Sequence, residues 1–172
     1  METTDLTTDA GWHNADFGRR FVAYMIDTVI TAMGGLGISL VAGATHSALL
    51  QWLAVVASFA WGLLYQIYPL ALLGYTPGKR LMGLCVVGPD GRKDGIGWVT
   101  AIVRWLGTYL SALPFYCGYL AITWDPERQG WHDKLAKTHV VTSRPDLDSG
   151  KLAVAVFFPF ALMIVGYMVV RW

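Results

Sequence analysis

Asp27 lies inside an apolar stretch, residues 21–44, that is long enough to cross a bilayer, and Arg20 stands seven residues before it. A carboxylate at mid-membrane costs about 3 kcal/mol on insertion scales, so it is expected to face a bundle interior, a water-filled cavity or a partner charge. Seven residues make almost two helical turns, which places Arg20 and Asp27 on one face, roughly 10 Å apart along the axis.

Hydrophobic residues make up 55% of the 172-residue chain and charged residues only 15%; a soluble domain is normally nearer one-quarter charged. The apolar content falls in four stretches, 21–44, 48–73, 98–123 and 152–170, each near or above the ~20 residues that a span requires. The expected fold class is therefore an all-α integral membrane protein with three to four transmembrane or re-entrant helices. The chain divides into a polar N-terminal tail (1–18), a membrane domain (19–143), and a linker with an additional C-terminal transmembrane helix (144–172). The first twenty residues carry Glu2, Asp5, Asp9 and Asp16 where a signal peptide would have a basic region, so the first span is expected to anchor the protein. A net charge of +1 gives no bulk field for nucleic acid or for broad binding to anionic lipid. Cys85 and Cys117 have neither metal-site nor disulfide-framework spacing.

Gly34, Gly35 and Gly37 in the first span and Ala54, Ala57, Ser58 and Gly62 in the second are small faces that let helix backbones approach in lipid, so these spans are expected to pair as an antiparallel hairpin. Trp12, Trp52, Trp98, Trp124 and Trp172 fall near span ends, where indole rings favour the headgroup region. Between the second and third spans, Val86-Val87 before the turn Gly88-Pro-Asp-Gly91 reads as a strand. Val140-Val141 repeats that cadence after the third. An isolated strand leaves backbone groups unpaired, so a short cytoplasmic β-pair, 82–87 with 138–142, is expected.

The positive-inside rule disfavours an external loop carrying Arg128, Lys134, Lys137 and Arg144. A third segment that enters and turns back near Pro114 keeps both basic loops, and the N-terminus, in the cytoplasm. Proline there also suits a kink in one continuous helix. The fourth span, with Pro159 as a kink, carries no ionisable residue from 152 to 170 and reads as a packing helix.

Three stretches together resemble the RDD family of small bacterial membrane proteins, named for an arginine and two aspartates: Arg20-Phe-Val-Ala-Tyr-Met-Ile-Asp27, Thr76-Pro-Gly-Lys-Arg-Leu-Met-Gly-Leu-Cys-Val-Val87 and Arg128-Gln-Gly-Trp-His-Asp-Lys-Leu-Ala-Lys-Thr-His-Val-Val141. The matching residues are Arg20, Asp27 and Asp133, and the resemblance covers about residues 14–142. It implies a multi-pass protein of the bacterial inner (cytoplasmic) membrane with a cation/proton antiport activity, exchanging sodium, lithium or potassium for protons. The fourth apolar segment departs from the usual three.

The candidate ion and proton pathway comprises Asp27, Arg20, Arg104, Asp133 and His132. Asp27 could exchange a proton for a cation, or form a structural ion pair with Arg20 or Arg104. Arg20 could equally be an interfacial arginine that snorkels. Arg104, six residues inside the third segment, wants Asp27 or Asp133 as partner. Asp133 reads as a solvated salt bridge, a helix cap or the mouth of a polar path, with His132 as a proton relay. Lys79 and Arg80 are expected to position the domain by touching lipid phosphates or the Asp133 loop. Gly74-Tyr-Thr-Pro-Gly-Lys-Arg80 fails as a phosphate loop, having three residues between its glycines and Arg80 where Ser or Thr belongs. No metal set, cofactor motif or nucleophile–base pair is evident, so enzyme chemistry is not expected. The expected partners are the lipid bilayer, monovalent cations with protons, and further copies of the chain in a homo-oligomer. The competing reading is a non-catalytic membrane adaptor or assembly factor whose buried charges are structural.

Overall fold

A computed structural model describes residues 13–45 and 47–142. The fourth apolar segment and Pro159, together with Trp12, Arg144 and Trp172, lie outside the described residues. Two long helices dominate, α1 (Phe17–Gly43) and α2 (Ala48–Leu73). Asp16 caps α1, its carboxylate accepting the Arg19 backbone N–H at 2.8 Å, and Ser47 caps α2 in the same way. Both satisfy a donor that a helix start leaves unpaired.

The helices form the expected antiparallel hairpin through their small faces. A Cβ at Gly34 would collide with the Trp61 indole. That close approach lets Trp61 Nε1 donate to the Thr31 carbonyl and Ser58 Oγ to the Gly35 carbonyl, each at 3.2 Å. Only 17% and 11% of the most apolar windows of α1 and α2 are buried. The core helices of a soluble protein would be covered, whereas here Leu49, Val55, Phe59 and Leu64 point outward, as lipid-facing side chains do. Trp52, Trp98 and Trp124 are exposed as well.

After α2 come the short helix α3 (Pro77–Leu81) and strand β2 (Leu84–Val87). Thr76 followed by Pro77 starts α3, since proline's missing N–H is no loss at the first helical position. The third apolar segment is not one helix. α4 (Trp98–Ala112) stops before Pro114, and Phe115 (φ 49°) and Tyr116 (φ 60°) take left-handed backbone. Left-handed backbone costs an L-residue about 1–2 kcal/mol, and the turn takes it at two residues in succession. The chain then returns through α5 (Cys117–Leu120) and a 3-10 turn (Ala121–Thr123) to α6 (Trp131–Ala136), which packs on α4. The segment is therefore broken near Pro114 and doubles back, rather than running on as one kinked helix.

This return brings strand β3 (His139–Thr142) beside β2. The two pair antiparallel, Leu84 with Thr142 through Val87 with His139. The pairing is the expected one, but β2 begins at Leu84 because Met82 caps α3. A third strand was not expected: β1 (His13–Asn14) pairs with the other edge of β3, giving the order β1-β3-β2. The polar tail, drawn to residue 18, thus contributes residues 13–16 to the fold, with Ala15 fully buried. Beneath the sheet, Ile26, Met82, Leu84, Val86, Ile96, Ala101 and Val140 form the core.

Candidate functional site

Asp27 is 1% exposed and does not pair with Arg20 or Arg104. One carboxylate oxygen accepts from the Tyr65 hydroxyl at 2.8 Å and from the Gly78 backbone N–H at 2.8 Å. The other accepts from the Thr76 hydroxyl and faces the Lys79 ammonium at 3.5 Å. A single α1 side chain thereby caps α3 and ties it to α2. Gly78 permits this approach, because a Cβ there would meet the Ala23 carbonyl and Asp27 itself. Burial lowers the Lys79 ammonium from its usual pKa, and the neighbouring carboxylate opposes that shift.

Asp133 centres a second cluster and is fully buried. Its Oδ2 accepts from Arg20 Nη1 at 2.8 Å and from the Gly130 N–H at 3.0 Å, the latter closing the first turn of α6. Its Oδ1 faces the Arg104 guanidinium as an ion pair without a well-directed hydrogen bond, so that contact is chiefly electrostatic. Arg20 also donates to the Ala15 and Val140 carbonyls, at 3.2 Å each, and Arg104 to the Thr138 hydroxyl. Burial would raise the Asp133 carboxyl, yet Arg104, His132 and Arg20 together hold it well below the usual carboxylate range. His132 packs its ring 4.8 Å from Tyr119 and places Nδ1 3.3 Å from Ser111 Oγ. Burial first, then the nearby cations, push it down to about 4 against the pull of Asp133.

α1 and α4 make little direct contact. The space between them is a cavity of about 650 Å³, with α5 and α6 contributing to its wall. Arg20, Lys79, Arg104 and His132 reach it, while Asp27 and Asp133 lie behind these groups. Phe21, Tyr24, Trp105, Tyr109 and Tyr119 supply much of the remaining wall.

The sequence profile of the RDD family matches residues 14–137, from the first strand to the end of α6. The chain belongs to the RDD family. It is 34% identical over 79 residues to uncharacterized protein YxaI of Bacillus subtilis, covering 46% of this chain and 50% of that protein. It is 30% identical over 90 residues to the proline-rich antigen homolog of Mycobacterium tuberculosis, covering 52% and 37%. The chain thus spans half or less of the length of the curated relatives it matches. No solved structure matches it.

The arginine and two aspartates of the RDD resemblance do not meet as one constellation in this member. Arg20 joins Asp133, and Asp27 stands in the other cluster. Arg20 is no snorkelling interfacial residue, and Asp133 no solvated one. Arg104 takes the second of its two expected partners. Lys79 turns inward to Asp27, away from lipid phosphate or the Asp133 loop. Arg80 lies exposed, stacked 5.0 Å over the Tyr75 ring and donating to its hydroxyl at 2.7 Å. His132, neutral across the physiological range at its lowered pKa, is poorly suited to relay protons there. Sequence reasoning missed Tyr65, Thr76, Gly78, Ser111, Gly130 and Thr138 as members of the clusters. For Thr76 and Gly78 a signal existed, since Thr-Pro is a helix start whose free N–H groups want an anion.

Proposed function

We propose that this RDD protein is a non-catalytic membrane-embedded binding domain, with the α1–α2 hairpin as its anchor, the two charge clusters as its scaffold and the α1–α4 cavity as its binding site. The observation that carries the reading is the order of charges at the cavity: cations line it, and both carboxylates are shut behind them. A sodium or potassium ion entering would meet positive charge before reaching either aspartate, and it would have to displace several well-placed donors at each.

The cation/proton antiport implied by the family resemblance has one observation in its favour. Lys79 both lines the cavity and pairs with Asp27 at 3.5 Å, so a competing ion could reach the carboxylate by displacing the ammonium. With two spanning helices among the described residues, a sealed path would require several copies of the chain. Purified protein in liposomes, given sodium, lithium or potassium pulses with a pH-sensitive dye inside, is expected to move no more protons than empty vesicles. Saturable, cation-dependent proton movement would overturn the binding reading in favour of antiport.

The sheet end is assigned to the cytoplasm of a bacterial inner membrane. Lys79, Arg80, Arg92, Lys93, Lys134 and Lys137 all lie at that end, and the α1–α2 turn near Thr45 carries no Lys or Arg, the asymmetry the positive-inside rule describes. A Thr45→Cys variant in a Cys117→Ser background is expected to react with an impermeant maleimide on intact cells, and a Lys93→Cys variant only after lysis. The reverse pattern would invert the orientation.

A further inference from the structure

Three cations, Arg20, Lys79 and Arg104, stand against two carboxylates, Asp27 and Asp133, at the floor of the α1–α4 cavity. Among the groups at this floor one positive charge is therefore in excess, on side chains that are largely buried, where a charge without a close partner is costly. Asp16, the other acid near Arg20, is exposed at the α1 cap and does not line the cavity.

The donors are only partly used. Arg104 makes its hydrogen bond and its ion pair from Nη1, and a guanidinium has five N–H groups. Lys79 gives its ammonium to Thr76 at 3.2 Å and to Asp27 at 3.5 Å, which leaves one of three N–H groups for the cavity.

Away from this floor the cavity turns apolar and aromatic. Along α4, Arg104, Trp105, Thr108, Tyr109 and Ala112 line it in turn, a face that runs roughly 12 Å from the charged layer toward the re-entrant turn. Phe21 and Tyr24 face them from α1. Phe21 is 50% exposed and Tyr109 54%, so the cavity is open along the seam between α1 and α4, the side that a bilayer around the α1–α2 anchor would cover. A volume of about 650 Å³ falls within the ~300–1,000 Å³ of pockets that take a small-molecule ligand.

We propose that this cavity binds an amphiphilic anion, an acyl chain bearing a carboxylate or phosphate head, with the head on Arg20, Lys79 and Arg104 and the chain between α1 and α4. The proposal deepens the binding-domain reading and rests on it. A polar anion alone would leave the aromatic wall unused, and an uncharged chain would leave the excess cation unpaired. The anion completes both.

The test uses the full chain purified in a non-ionic detergent, with 9,10-dibromostearate as a probe whose bromines quench tryptophan. Saturable quenching is expected, with its largest component lost in Trp105→Phe. Oleate should displace the probe at least tenfold more effectively than oleyl alcohol, and an oleoyl lysophosphatidate arm tells whether a phosphate head serves as well as a carboxylate. Thr108→Trp, which fills the cavity while keeping every charged group, should abolish the quenching. Lys79→Gln should weaken it about tenfold. If Lys79→Gln does not fold, the comparison of acid with alcohol on the wild type still decides. Equal displacement by oleate and oleyl alcohol, quenching that survives Thr108→Trp, or no saturable quenching would each overturn the proposal. The liposome experiment judges the broader reading separately, because an inert protein that binds no acid loses only this inference.

Discussion

Asp133→Asn is expected to be the most damaging single substitution in the chain. Arg20 and Arg104 both converge on this fully buried carboxylate, and the change leaves two buried guanidinium groups sharing no counter-charge. Breaking a buried ion pair from one side costs about 3–5 kcal/mol, because the stranded charge stays desolvated. That is comparable with the whole stability of many domains, so the variant should accumulate poorly in membranes and melt far below the wild type in detergent. A melting temperature within a few degrees of wild type would show that the cluster does not hold the fold.

Acid should act on the same cluster in two stages. His132 is lowered from 6.5 to about 4 by burial, so between those values the unfolded chain binds the proton and the folded chain does not. Stability is therefore lost as pH falls from 6.5 toward 4, by about 2 kcal/mol between pH 7 and pH 5. The Asp133 carboxyl is depressed when folded, so its contribution is intact above the unfolded value and fades only below about pH 4. Melting curves from pH 7 to 5 should show this slope, and His132→Gln should flatten it.

Asp27→Ala is the second large effect. It strands Lys79 and removes the acceptor shared by the Tyr65 hydroxyl, the Thr76 hydroxyl and the Gly78 N–H. Each buried donor left unsatisfied costs about 1–3 kcal/mol, which again approaches the stability of the domain. Asp27→Asn keeps an acceptor oxygen and should be milder. In a double-mutant cycle with Lys79→Met, the second substitution removes the stranded cation, so the pair should cost at least 1 kcal/mol less than the sum of the singles. Strict additivity would show that the ammonium and the carboxylate do not interact.

The sequence announces the charges and conceals their partners. That Asp27 faces inward followed from an acid in an apolar stretch, and the helical spacing correctly put Arg20 on the same side. Spacing along one helix says nothing of what approaches from elsewhere. Tyr65 lies 38 residues from Asp27, Gly78 lies 51, and Asp133 lies 113 from Arg20. The pairing of β2 with β3 was legible because two Val-Val ends on one side of a membrane have few other ways to satisfy their backbones. β1 was not, since two polar residues carry no alternation. Pro114 marked where the third segment breaks. The cavity left no trace in the sequence, because it is a gap between α1 and α4 whose walls come from segments far apart along the chain.

The sheet order β1-β3-β2 also dictates an order of assembly. The central strand is synthesised last of the three, and the helix that carries Asp133 only just before it. During synthesis the α1–α2 hairpin can enter the membrane and pack through its small faces while Arg20 still lacks its carboxylate. Only when residues 131–142 arrive can both edges of the sheet find their partner and both arginines their counter-charge. A chain cut short before that point would lack both the central strand and the carboxylate that Arg20 pairs with.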